Sequence, residues 1–179
     1  MNSKGVIDYF EYWSGFNFPG NIAKEWLELN SSNLTGHEIA LFDEISKNVD
    51  MQKPFYIIGS LEKEKDTIKH EIAHALYFLD ENYRWYADIF NIHFKQDYPR
   101  QYNKMVKELI KMGYNANVIP DEIQAYLASE PKKYLIEDFK LNYDTVSKYN
   151  KKDKLSSLIR EYKYLLQKYN TFMDKIKIS

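Results

Sequence analysis

An α+β fold, mostly α, in a single domain with a small sheet is what this chain predicts, and three observations carry the prediction. Residues 62–79 contain neither Gly nor Pro and repeat apolar side chains at intervals of three and four. Phe55-Tyr56-Ile57-Ile58 is a short β-branched and aromatic run between Pro54 and Gly59-Ser60, the signature of a strand with a turn after it. Towards the C-terminus, about residues 150–175, Leu155, Leu158, Ile159, Tyr162, Leu165 and Leu166 interleave with lysines at helical spacing. The 179 residues suit one domain with a sizeable core, spanning 1–179, and no long linker divides it.

Taken in order, residues 1–50 suggest a helical lead-in marked by Tyr9, Phe10, Trp13 and Phe16. A turn at Pro19-Gly20 follows, then helices from Ile22 to Leu29 and from Ile39 to Ile45. After the 55–58 strand, a helix from Glu62 to Leu79 buries a stripe of Ile68, Ile72, Ala75, Leu76 and Leu79 and ends in Asp80-Glu81-Asn82. Tyr83–Phe94 and Pro99–Met112 read as further helices, the second closed by Gly113 at its C′ position. Asn115–Pro120 forms a loop or short extended segment. A short helix then opens with Pro120 and Asp121 and is anchored by Ile123, Tyr126 and Leu127. Lys148, Lys151, Lys152, Lys154, Arg160, Lys163, Lys168, Lys175 and Lys177 form the solvated face of the C-terminal amphipathic helix rather than a nucleic-acid or membrane surface.

Composition removes several classes of function. There is no cysteine, which excludes a cysteine nucleophile, a cysteine zinc finger and a deformylase-type metal site. The six glycines build no phosphate-binding loop or dinucleotide fingerprint. A net charge of −1 gives no global attraction to nucleic acid. No apolar run is long enough to span a membrane, and the N-terminus lacks an apolar signal core. The expected location is therefore the cytoplasm, with signal-independent export left open.

Chemistry enters with His70-Glu71-Ile72-Ala73-His74. Four residues of helix advance about 400°, so the two imidazoles stack one turn apart on one face, about 40° from each other. Both can hold one zinc ion. Glu71 lies about 100° around the helix from His70, positioned for a water rather than the metal, which is the place of a general base. Small Ala73 and Ala75 are expected to leave room around the ion. The chain carries its own control in His37-Glu38-Ile39-Ala40-Leu41, where Leu41 replaces the second imidazole and His37 is a surface or helix-entry residue after Gly36.

A third ligand has three candidates. Asp80 follows His74 by six residues, but six residues of continuous helix turn about 600° and carry it to the far side, so it reads as a helix terminus. His93, in Phe90-Asn91-Ile92-His93-Phe94, lies in an aromatic segment that suits a packed histidine. Glu122, in the first turn of the short helix opened by Pro120, is the favoured ligand, with Ala125 permitting close approach of the two helices. Its competing role is a first-turn acid favoured by the helix dipole.

With these residues, His70-Glu71-x-x-His74 followed by Glu122-x-x-Ala125, the chain resembles the gluzincin branch of the zincin metallopeptidases. Glu122-Ile-Gln-Ala125-Tyr-Leu-Ala128-Ser-Glu-Pro131 is also similar to the corresponding helix of small intracellular zincins that cleave repressor proteins. The resemblance covers roughly residues 54–131 and implies a zincin-like domain with zinc held by His70, His74 and Glu122. Many gluzincins place an acid four residues after the glutamate ligand to orient a histidine. Tyr126 stands there in this chain, which leaves that role to Tyr126, to Asp121 or to another acid.

The function so predicted is zinc-dependent hydrolysis of a peptide or protein substrate, with Glu71 as general base and Tyr126 or Tyr114 as candidate oxyanion donors. The 55–58 strand is expected to receive an extended substrate by strand addition. Alternatives are a non-catalytic zincin-like binding module and a helical interaction protein whose motif is accidental. Glu71 favours the enzyme, because a structural metal site needs no carboxylate beside its ligands.

Overall fold

The computed structural model describes residues 15–62, 64–130 and 152–175, the side chains of 152–160 excepted. Tyr9, Phe10 and Trp13, Pro131, and the C-terminal residues before Glu161 and after Lys175 lie outside the described side chains. In chain order the elements are β1 (Gly15–Pro19), α1 (Gly20–Asn30), α2 (Gly36–Asn48), β2 (Tyr56–Ser60), α3 (Lys65–Leu79), α4 (Glu81–Asp97) and α5 (Pro99–Lys111). A 3₁₀ turn (Ala116–Val118), α6 (Ile119–Ser129) and α7 (Lys152–Met173) follow. The protein is thus mostly helical with one small antiparallel sheet.

That sheet corrects one expectation. Phe16 belongs to strand β1, not to a helical lead-in, and β1 pairs with β2 in the register Gly15↔Ser60 to Pro19↔Tyr56. Phe16-Asn17-Phe18 alternates with a period of two, and the rings of Phe16 and Phe18 stack at 6.0 Å on one face while Asn17 takes the other. The edge of β2 supplies the partner that local spacing cannot reveal. Phe55 and Ile57, with Ala23 of α1 and Phe42 of α2, bury a small core beneath this sheet. Helix α2 starts on a capping box, in which Thr35 accepts from the Glu38 amide and Glu38 reaches back to Thr35. His37 is exposed in its first turn.

The larger core is helical. Ile72, Ala73 and Leu76 of α3 pack with Tyr83, Ala87, Phe90 and Phe94 of α4, Ile123, Ala125 and Leu127 of α6, and Tyr162, Leu165 and Tyr169 of α7. Phe90 and Phe94 are 2% and 0% exposed, so truncating either to alanine costs about 3–5 kcal/mol. Leu79, expected in the buried stripe, is instead exposed at the end of α3. There Asp80 stops the helix and caps α4 by accepting from the Tyr83 amide at 2.9 Å. Ala73 and Ala75 are buried and neither lines the cleft described below; Ala73 packs within the helical core. Gly113, at φ +98°, closes α5 in a conformation that suits glycine.

Helix α7 behaves as an amphipathic helix where its side chains are described. Tyr162, Leu165 and Tyr169 point inward while Lys163 and Lys175 are exposed. Tyr169 donates to the Lys69 carbonyl at 2.9 Å, tying α7 to the turn of α3 that precedes His70. No helix among the described residues is long and apolar enough to cross a membrane.

Candidate metal centre

Helix α3 presents Thr67, His70, Glu71 and His74 to a cleft of about 540 Å³, within the range of ligand-binding sites. Helix α6 packs beside α3 and contributes Glu122 and Tyr126, while β1 contributes Gly15, Phe16 and Asn17. Met112, Tyr114, Asp66 and Glu130 complete the lining. None of the lining residues comes from β2, so the strand beside the cleft is β1 rather than the 55–58 strand expected from the sequence.

His70, His74 and Glu122 form a group that could hold a metal ion. The two Nε2 atoms are 3.1 Å apart, His70 Nε2 lies 3.4 Å from Glu122 Oε2, and His74 Nε2 lies 3.5 Å from Glu122 Oε1. A tetrahedral ion with bonds of 2.0–2.1 Å sets its donor atoms about 3.3 Å apart, and each imidazole Nε2 stands near that distance from one oxygen of the Glu122 carboxylate. Glu122 is 8% exposed and its Oε2 makes no hydrogen bond, nor does the buried Nδ1 of His70. A buried carboxylate oxygen that makes no hydrogen bond is costly even with an imidazole 3.4 Å away, and a cation coordinated there would lower the cost. The donor set suits zinc and also ferrous iron.

Electrostatics point the same way. Burial alone would push the His74 imidazole down, but Asp121 and Glu122 outweigh it and raise it to about 10. Burial also pushes the Glu122 carboxyl up, yet His70 and His74 beside it prevail and hold it at about 2. A field that retains a proton this firmly attracts a cation, and metal binding competes with that proton.

Among the candidates for orienting a histidine, Asp121 is the one in polar contact with an imidazole. Its Oδ1 lies 2.9 Å from His74 Nδ1, which suits it to hold that ring with Nε2 toward His70 and Glu122. Tyr126 packs its ring on His70, with centroids 4.3 Å apart, and its hydroxyl meets that of Tyr114 at 3.2 Å. Burial first, then Tyr126 and Glu122, push the Tyr114 phenol well above its ordinary value, so it stays a neutral donor in the cleft. The other ligand candidates lie elsewhere. Asp80 is the cap between α3 and α4, and His93 Nδ1 meets the buried Glu161 of α7 at 2.9 Å.

Glu71 is 7% exposed and lines the cleft one residue from His70. Its Oε2 accepts from the Asn17 amide, and the Asn17 carbonyl accepts from the Tyr56 hydroxyl. Burial first, then the nearby carboxylates, push the Tyr56 phenol up and keep it a donor. Gly15 allows the close approach of β1, since a Cβ there would stand 2.5 Å from Thr67 Cγ2 and 3.4 Å from Glu71 Oε1. The partners missed in the sequence are Gly15, Asn17, Tyr56, Tyr83 and Gln124. Asn17 had a signal, a polar residue alternating with two phenylalanines. Gln124, between Ile123 and Ala125 on a helix of apolar residues, had only a faint one. No family model matches this chain, and neither a curated protein nor a solved structure does.

Proposed function

We propose that this protein is a zinc-dependent peptidase of zincin-like design. The observation that carries the reading is Glu71, a carboxylate lining the same cleft as the His70, His74 and Glu122 triangle but standing outside it. A structural metal or a ferrous oxygenase site has no need of such a group, whereas hydrolysis does. Zinc held by the triad supplies Lewis acidity, making a water easier to deprotonate and a carbonyl easier to attack.

The residues of the chain supply the rest. Asn17 anchors Oε2 of Glu71, leaving Oε1 to take the proton of the attacking water and pass it to the leaving amine. The neutral Tyr114 hydroxyl, linked to that of Tyr126, donates to the oxyanion. An extended peptide runs beside β1, whose Gly15, Phe16 and Asn17 line the cleft.

The test is Glu71→Gln, which preserves shape but cannot accept the proton. Zinc content and fold are expected to stay as in the wild type, while release of new termini from a peptide mixture falls by about 10²–10⁴-fold. Undiminished cleavage in the zinc-loaded variant sinks the mechanism. Zinc binding without cleavage by the wild type, across broad mixtures, leaves the non-catalytic module as the better reading.

A further inference from the structure

We propose that Gln124 is a positioning residue for the metal centre, acting on His74 through Asp121 without touching the ion. This rests on reading the triad as a metal site and is independent of peptide hydrolysis. Gln124 is 0% exposed, and each end of its carboxamide has a partner. The Tyr83 hydroxyl, on a residue also 0% exposed, donates to Oε1 at 2.7 Å. Nε2 donates to Asp121 Oδ1 at 2.8 Å and to the Ala73 carbonyl at 3.3 Å.

Only one orientation of the amide satisfies this set. Turned over, Oε1 would face the Asp121 carboxylate and the Ala73 carbonyl, placing three acceptors together in a buried space. The direction of donation therefore runs from Tyr83 to Gln124 to Asp121, and Asp121 Oδ1 also receives His74 Nδ1–H. The Asp121 side chain is 31% exposed at the start of α6, so nothing but its partners keeps it from turning to solvent. Gln124 holds it against His74, which fixes the proton on Nδ1 and turns Nε2 toward His70 and Glu122. The further contact with the Ala73 carbonyl sets α6 against the turn of α3 that carries both histidines.

A double-variant cycle tests this by zinc affinity, measured by chelator competition in the wild type, Gln124→Met, Asp121→Ala and the double variant, with folding checked by circular dichroism. Gln124→Met is expected to weaken zinc binding by about tenfold in the wild-type background and to add nothing once Asp121 is gone. An unchanged affinity, or an equal loss in both backgrounds, overturns the proposal, the latter because it would show an effect through helix packing. Should Gln124→Met not fold, Tyr83→Phe, which keeps shape and removes only the donor, enters the same cycle with the same criteria. A wild type that binds no zinc overturns the metal reading and this proposal together, whereas a zinc-binding wild type with indifferent variants overturns this proposal alone.

Discussion

Two tethers reach the candidate metal centre, one from the sheet and one from α6, and they share a grammar. In each, a tyrosine hydroxyl donates to a carboxamide and the carboxamide donates to a carboxylate: Tyr56, Asn17 and Glu71 on the strand side, Tyr83, Gln124 and Asp121 on the helix side. They differ in burial. Tyr83 and Gln124 are wholly enclosed, while Tyr56 and Asn17 are half-buried and Asn17 lines the cleft. A hydrogen bond in a dry interior is hard to replace, because water cannot reach the orphaned partner; one beside a cleft is replaced by solvent at small cost. The same arrangement thus serves two ends. The buried tether ends beside His74, a candidate metal ligand, and the cleft tether ends on Glu71, the proposed base.

Removing Asp121 cuts the helix tether at the ligand. Asp121→Ala is expected to weaken zinc binding by about 10–100-fold, with hydrolysis restored by excess zinc. Full affinity in this variant would mean that His74 is held by other means and would erase the distinction. Asn17→Ala should give the reverse pattern: unchanged zinc affinity, and peptide cleavage at saturating zinc reduced by about tenfold or more as Glu71 loses its anchor. If Asn17→Ala loses zinc instead, the strand tether belongs to the metal and not to the base.

Smaller effects sharpen the contrast in stability. Tyr83→Phe leaves the buried Gln124 carbonyl without its donor and should lower unfolding free energy by about 1–3 kcal/mol, while Tyr56→Phe should lower it by less than about 1 kcal/mol. Denaturant midpoints of the metal-free proteins decide this, and equal losses would show that burial does not separate the two. His93→Ala, finally, should leave zinc stoichiometry unchanged, since His93 contacts Glu161 on α7 and not the triad.

Particular residues show where the sequence stops being readable. The helical stripe of α3 was legible, with Ile72, Ala75 and Leu76 buried where the spacing put them, and so was Asp80 as a terminus. Leu79 was not, because the helix ends at that residue and the stripe continues only on paper. Phe16 read as helical because its spacing from Tyr9, Phe10 and Trp13 outweighed a three-residue alternation too short to decide alone, and a strand declares itself by a partner 43 or so positions away, about the separation of its register with β2.

Periodicity alone put His70, His74 and Glu71 in their relative places, because a helix sets the angle between residues one to four apart from backbone geometry. Glu122 was recognised by a second short pattern, yet its distance to the histidines was settled by the packing of α6 on α3. The contacts that set Asp121 against His74 and Asn17 against Glu71 were made by tertiary structure. Those contacts join residues 47 and 54 positions apart, since 121 − 74 = 47 and 71 − 17 = 54. No local rule spans such separations; only the burial of two apolar faces against each other brings those side chains within reach.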